Sequence, residues 1–274
     1  MLQVKAAVLG SPVSHSLSPV LHNAAYRTLG LDHTYSAIET TKSELGSFLD
    51  AVNEEWLGVS LTMPLKEVAF DFADTCDELA ELTGAINTLV FGDRVKAFNT
   101  DVLGLVDALS EAGSAKVSSA VIFGSGATAR SALVALQLLG AQEVSCIARN
   151  ETDVERMAGI ARQIDVDFSH VQLGESGWLQ ADVVVNTTPV GVLDEIAREV
   201  ISPKGLLLDV VYNPWPTQLA ASWAVTGGTI VSGLSMLLHQ AGHQVTLMTG
   251  KPAPVAQMRE ALNAELLTRG LSTI

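Results

Sequence analysis

Cysteine is scarce in this chain of 274 residues, where only Cys76 and Cys146 occur. Their spacing fits neither a CxxC metal site nor a disulfide framework, so two free, mostly buried thiols are expected. Basic residues are also in short supply, with sixteen Lys plus Arg against thirty Asp plus Glu and a formal charge of -14. A protein this acidic repels phosphate backbones and anionic lipid, so neither nucleic acid nor membrane is an expected partner. Long apolar runs are missing: Leu206-Leu207-Leu208 meets Asp209 at once, and nothing approaches the roughly 20 residues that span a bilayer. The stretch after Lys5 reaches Gly10-Ser11-Pro12 within a few residues, too short for a signal peptide, and reads as a first strand. Internal repeats and low-complexity tracts are absent. No cluster of His, Cys, Asp or Glu has metal spacing, and His15, His22, His239 and His243 read as structural residues. The expectation is a cytoplasmic protein without a metal.

What is present is apolar: 48% of the residues are hydrophobic and the mean hydropathy is positive. Such a chain buries a sizeable core, as one large domain or two modest ones. Segments rich in Val, Ile and Leu alternate with helical ones, the pattern of an α/β protein with parallel sheets covered on both faces. Strands are predicted at Val4–Leu9, Tyr35–Glu39, Gly58–Leu61, Thr88–Phe91, Ala120–Phe123, Glu143–Ala148, Val183–Asn186, Leu206–Val211 and Thr229–Val231. The polar segment Ser110–Ser119 resembles a join between domains. The boundary is placed near Gly104, with residues 1–103 as one domain and 104–235 as the other. Helices predicted at Met236–Thr249 and Val255–Thr268 follow, the second after a Gly250–Pro254 break, and could pack on either domain.

Val121-Ile122-Phe123 runs into Gly124-Ser125-Gly126-Ala127-Thr128-Ala129 and then into a helical stretch ending at Gly140. This is G-x-G-x-x-A in the strand–turn–helix setting that a dinucleotide fingerprint requires. Gly124 would permit the tight turn, Gly126 would let backbone approach a pyrophosphate, and the helix N-terminus would supply amide donors. A flexible turn in an unrelated α/β unit is the alternative. At the end of the next predicted strand an NAD site usually carries an acid for the ribose hydroxyls, yet Ala148-Arg149-Asn150 stands here. A guanidinium at that place pairs with a 2′-phosphate, which favours NADP. A solvated arginine is the plainer reading, and nearby Glu151 and Asp153 could blunt the preference.

Four polar motifs in the first hundred residues are placed where predicted strands stop, the position of ligands in open α/β sheets. They are Gly10–Pro19 with its serines, Val59–Lys66, Gly84-Ala85-Ile86-Asn87-Thr88, and Phe98-Asn99-Thr100-Asp101-Val102-Leu103-Gly104. Taken singly they could be a helix-capping serine turn, a surface lysine and turn-forming amides. In combination and order they resemble the shikimate dehydrogenase family. Its serine motif, T-x-P-x-K, G-A-x-N-T and N-T-D-x-x-G all occur. So do later blocks at Asn186–Pro189, Asp209–Pro214 and Gly233–Ala241, and the likeness covers nearly the whole chain.

That resemblance implies an N-terminal α/β substrate domain, joined by C-terminal helices 236–274, and a C-terminal Rossmann-type domain with a doubly wound parallel sheet. It implies contacts to shikimate from Ser16, Ser18, Thr62, Asn87, Asp101, Tyr212 and Gln240, with proton chemistry at Lys66 and Asp101. Gly124, Ser125, Gly126, Ala127, Thr128 and Arg149 would hold NADP, with Val210 and Gly233 at its nicotinamide half. Two positions depart from the family's habit: Ser60, where asparagine is frequent, and Ala148-Arg149-Asn150 in place of N-R-T. The chemistry is self-consistent, because ketone reduction needs a hydride and a proton for the developing alkoxide, which a lysine can give. An NAD-linked quinate/shikimate dehydrogenase is opposed by Arg149, and a non-catalytic NADP(H) sensor by Lys66 and Asp101. Monomer and homodimer both remain open.

Overall fold

The computed structural model describes residues 4–114, 116–172 and 177–274. Ala115, in the polar segment predicted as a join, lies outside the described residues. The chain forms two compact units, residues 1–100 with 237–274, and residues 101–236.

In the first unit the chain runs β1 (Val4–Gly10), α1 (Ser18–Thr28), β2 (His33–Glu39), α2 (Leu45–Asp50), β3 (Trp56–Leu61), β4 (Thr75–Cys76), α3 (Glu78–Thr83), β5 (Thr88–Val90) and β6 (Lys96–Phe98). Its sheet has the order β2-β1-β3-β5-β6-β4. β1, β2 and β3 are parallel, but β5 is antiparallel to both β3 and β6. The sheet is therefore mixed, where the sequence pattern suggested parallel strands. The cause is local: only residues 91–95 separate β5 from β6, and so short a connection joins antiparallel neighbours alone. One face is packed by Leu9, Val59, Leu61, Leu65, Ile86 and Leu89.

α4 (Thr100–Glu111) begins at the edge of this unit. The second unit contains β7 (Ser119–Phe123), α5 (Ala127–Leu138), β8 (Glu143–Ile147), α6 (Glu151–Gln163), β9 (Asp167–His170), β10 (Val183–Asn186), β11 (Leu206–Asp209), α7 (Gln218–Val225) and β12 (Ile230–Ser232). All its strands are parallel, in the order β12-β11-β10-β7-β8-β9. This is a doubly wound sheet with its switch point between β7 and β10. β10 is buried throughout, as expected of an unbroken Val-Val-Val run covered on both faces. α6 is amphipathic, burying Val154, Met157, Ile160 and Ala161, and its N-cap Asn150 accepts from the Asp153 amide.

α8 (Gly233–Thr249) and α9 (Val255–Thr268) complete the chain. α9 packs on α1 through a stripe that includes Met258, Leu262 and Leu266, spaced four residues apart. Among the described residues no helix is long and apolar enough to cross a membrane.

Candidate active site

The topology of the first unit brings all four polar motifs to one edge of its sheet. β1 ends at Gly10, β3 at Leu61 and β6 at Phe98; β5, running the other way, begins there at Thr88. The third motif thus sits where a strand starts rather than stops, because β5 is reversed. Backbone bonds tie the motifs together. The Ser11 amide donates to the Met63 carbonyl at 2.9 Å, Leu61 to Asn87 at 2.8 Å, Ile86 to Lys66 at 2.8 Å and Asn87 to Phe98 at 3.0 Å. Lys66 is half-buried in the turn after β3, next to Ile86.

Asn87 is 2% exposed. Its Oδ1 accepts from the Thr100 amide at 2.8 Å and the Thr88 hydroxyl at 2.8 Å. Its Nδ2 donates to Thr100 Oγ1 at 2.9 Å and to Gln240 Oε1 at 3.4 Å. Gln240, on α8, also donates to the Leu237 carbonyl. Asp101 is buried and follows Thr100 in the first turn of α4. Ser16 Oγ accepts from the Ser18 amide at 3.2 Å just before α1, whose N-cap is Leu17, and Ser18 is buried at the start of that helix. Thr62 is half-buried, its amide bonded to Leu9. The Asn99 Nδ2 donates to Thr83 and its amide to Asp77, the N-cap of α3, fixing the turn.

Behind Asn87 lies a buried polar group that sequence reasoning missed. Gln244, one turn beyond Gln240 on α8, donates to Thr88 Oγ1 at 3.0 Å and accepts from Ser60 at 2.8 Å. Ser60 in turn accepts from the Tyr35 hydroxyl at 2.6 Å. His22 stacks on Tyr35, ring centroids 3.9 Å apart, with Nε2 against Gln244 Oε1 at 3.2 Å. Burial pushes the His22 imidazole down to about 3, opposed by the bond to Gln244. The available signal was two glutamines at i, i+4 on an apolar helix.

In the second unit Gly124 follows β7 with φ of 101°, a conformation L side chains avoid. A Cβ there would also meet the Thr187 hydroxyl. Gly126 is the N-cap of α5, no side chain caps that helix, and a Cβ at Gly126 would meet nothing within 4 Å. An uncapped helix start with open space above it fits a pyrophosphate. Ser125 is buried, and Ala127 and Thr128 open α5 half-buried. Arg149 is exposed after β8. Asp153, which could have opposed it, is taken up by Asn150 Nδ2 at 2.6 Å and by Arg156 at 3.2 Å.

The loop after β11, with half-buried Val210 and Tyr212, is tied to the loop after β10 by Asp209. That carboxylate accepts from Thr217, Asn186 and the Val211 amide at 2.7, 3.0 and 3.1 Å. Burial raises its pKa against all three bonds. Gly233 lies so near the Val210 carbonyl that any Cβ would clash.

Two hollows elsewhere among the described residues do not share this chemistry. A hollow of about 840 Å³ at the amino ends of β1 and β3 and a smaller one of about 370 Å³ beside Ser119 and Trp178 contain none of the predicted residues. The larger lies opposite the carboxyl ends of the parallel strands β1 and β3, and the smaller beside the amino ends of β7 and β8, whereas open α/β sheets bind ligands at the strand carboxyl ends. Among the described residues no group of three or more His, Cys, Asp or Glu could hold a metal ion.

A doubly wound sheet with a Gly124–Gly126 turn at its switch point, together with a second α/β unit presenting a polar edge, defines a two-domain dinucleotide-dependent oxidoreductase. Family models agree. Residues 8–89 match the shikimate dehydrogenase substrate binding domain and residues 233–262 the shikimate 5'-dehydrogenase C-terminal domain. The shikimate dehydrogenase (NADP(+)) of Moorella thermoacetica is 35% identical, over 96% of this chain and 97% of its own. The crystal structure of Mycobacterium tuberculosis shikimate dehydrogenase superposes with a TM-score of 0.89 at 41% identity, covering 95% of this chain and 99% of that one. Shikimate 5-dehydrogenase from Thermus thermophilus, in complex with NADP(H) and shikimate, gives 0.84 at 32% identity over 96% and 99%. The chain belongs to the shikimate dehydrogenase family.

Proposed function

We propose that the protein catalyses the reversible NADPH-dependent reduction of 3-dehydroshikimate to shikimate, a step of the shikimate pathway of aromatic amino acid biosynthesis. The observation that carries this reading is the convergence of four motifs, from β1, β3, β5 and β6, on one sheet edge, with Gln240 bonded to Asn87. Relatives similar over nearly their full length carry that activity in their names.

Residues 1–103 with 236–274 act as the substrate domain, and 104–235 bind the cofactor. Ser16, Ser18, Thr62, Asn87, Asp101, Tyr212 and Gln240 hold the substrate's carboxylate and hydroxyls. Hydroxyl and amide donors suit a carboxylate held by a protein of net charge -14, where few cations are at hand. When bound, NADPH supplies the hydride. The Lys66 ammonium donates a proton to the ketone oxygen as it becomes an alkoxide, and its charge stabilises the oxyanion meanwhile. Asp101 orients that ammonium and accepts from a substrate hydroxyl. In the oxidative direction neutral Lys66 takes the proton back.

The backbone of Gly124, Ser125, Gly126, Ala127 and Thr128 receives the pyrophosphate, Arg149 pairs with the 2′-phosphate, and Val210 and Gly233 border the nicotinamide. The protein works in the cytoplasm, as a monomer or homodimer, on small molecules without nucleic acid or membrane. The assay is NADPH formation from shikimate, followed by absorbance. Turnover is expected; its absence in folded protein would leave a non-catalytic NADP(H) binder.

A further inference from the structure

Asparagine's amide oxygen and nitrogen have almost the same shape, so hydrogen-bond partners alone decide which end faces a ligand. Two donors meet Asn87 Oδ1, the Thr100 main-chain amide at 2.8 Å and the Thr88 hydroxyl, and the second of these ends a directed chain that starts far from the motifs. The Tyr35 hydroxyl donates to Ser60 Oγ at 2.6 Å, and Ser60 donates onward to Gln244 Oε1 at 2.8 Å. His22 Nε2 meets the same oxygen at 3.2 Å, while its buried Nδ1 has no partner. A neutral ring carries one N–H, and that hydrogen belongs on Nε2, where an acceptor waits. Two donors therefore converge on Gln244 Oε1, which turns Gln244 Nε2 toward Thr88 Oγ1 at 3.0 Å and the main-chain carbonyl of Asn87 at 3.3 Å. Accepting from Gln244 with one of its two lone pairs, the Thr88 hydroxyl donates to Asn87 Oδ1 at 2.8 Å, the oxygen that the Thr100 amide also meets. The Asn87 amino end is left facing Thr100 and Gln240.

Every member is buried, where an unpaired polar group costs more than in water and a reversed amide would break several bonds at once. We propose that Gln244, acting through Thr88, is a positioning residue that locks the Asn87 amide with its amino end toward the substrate. This rests on Asn87 being a shikimate contact. Gln244 does not itself touch substrate. Its contribution is to reinforce the orientation that the Thr100 amide also requires, against one in which a carbonyl oxygen would oppose the substrate's own oxygens.

The test compares Asn87→Ala, Thr88→Val, Thr88→Ser, Gln244→Glu and the pair Thr88→Val/Gln244→Glu in the full chain. Each is measured for kcat, for KM toward shikimate and NADP, and for melting temperature. Gln244→Glu, assayed at alkaline pH so that the buried carboxyl is ionised, keeps the acceptor for Ser60 and His22 but removes the donor to Thr88; Thr88→Val removes the hydroxyl at constant shape. Each should raise KM for shikimate about tenfold, the weight of one hydrogen bond, and leave KM for NADP alone. The pair should cost little more than either alone, as expected for one interaction broken twice. Thr88→Ser should stay within about twofold of the parent. If Gln244→Glu does not fold, Gln244→Met takes its place, and a folded Gln244 variant whose KM for shikimate stays within about twofold of the parent overturns the proposal. The proposal fails if Asn87→Ala raises KM for shikimate while Thr88→Val leaves it within about twofold, or if Thr88→Ser is as impaired as Thr88→Val. An Asn87→Ala variant with unaltered KM for shikimate would instead remove the site assignment on which the proposal stands.

Discussion

Replacing His22 with phenylalanine should change how the fold responds to acid, and the size follows from its burial. In the folded chain the imidazole titrates at about 3, against 6.5 for the ordinary group, because burial disfavours the cation. Its folded pKa is depressed, so the unfolded chain takes up the proton first. The stability concerned is present above pH 6.5 and is lost as pH falls from there toward 3. The whole interval is worth on the order of 5 kcal/mol, and about 2 kcal/mol of it is gone by pH 5. His22→Phe keeps the stacking on Tyr35 and forfeits the bond to Gln244, about 1 kcal/mol at neutral pH. Its stability curve should therefore start below the parent's and cross it near pH ~6. Asp77 and Asp209 act in the opposite sense, because burial raises their pKa and the cost of holding them charged is relieved as pH falls, so only the difference between parent and variant isolates the histidine. Urea unfolding at a series of pH values from 7.5 to 5 reads that difference. Parallel curves without a crossing would refute the reasoning.

Three further outcomes are expected. Lys66→Met should keep the fold and lower kcat by roughly 10²–10⁴-fold, with much less change in KM for shikimate, in steady-state assays. Gly126→Val adds a side chain where nothing lies within 4 Å, so the melting temperature should hold while KM for NADP rises at least about tenfold as the pyrophosphate's space is filled. Arg149→Ala should raise KM for NADP by on the order of 10- to 150-fold, the weight of one charge-assisted pairing, and leave NAD kinetics nearly unchanged. Arg149→Asp should go further and turn preference toward NAD, both measured at fixed ionic strength because exposed phosphate contacts are screened by salt.

The fold was most legible where burial was continuous. β10 was placed to the residue at Val183–Asn186, and α9 at Val255–Thr268, because an unbroken valine run and a Pro-bounded helix leave little choice. β4, β6 and β9 were not seen. They have two, three and four residues, and Asp167–His170 is a mostly exposed edge strand with no apolar pattern to read. The reversal of β5 was also hidden, since periodicity reports faces and not direction. Within the candidate site, Lys66, Asn87 and Gln240 announced themselves through motifs. Gln244 did not, because its meaning depends on which strand residues α8 lies over, and that register belongs to tertiary packing. Ser60 drew attention as a departure from the family's usual asparagine, yet only the structure gave it partners, Tyr35 and Gln244.

The most direct test is kcat/KM measured for four combinations, shikimate or quinate with NADP or NAD, at one ionic strength and followed by absorbance of the reduced cofactor. Shikimate with NADP should be the best of the four, with quinate or NAD each lowering the value by at least about tenfold, the weight of one mismatched polar contact. Equal or better turnover with NAD would contradict the role given to Arg149 and make the NAD-linked quinate/shikimate dehydrogenase the better reading. No turnover in any combination by folded protein would contradict the account of Lys66 and Asp101 as the proton-handling pair.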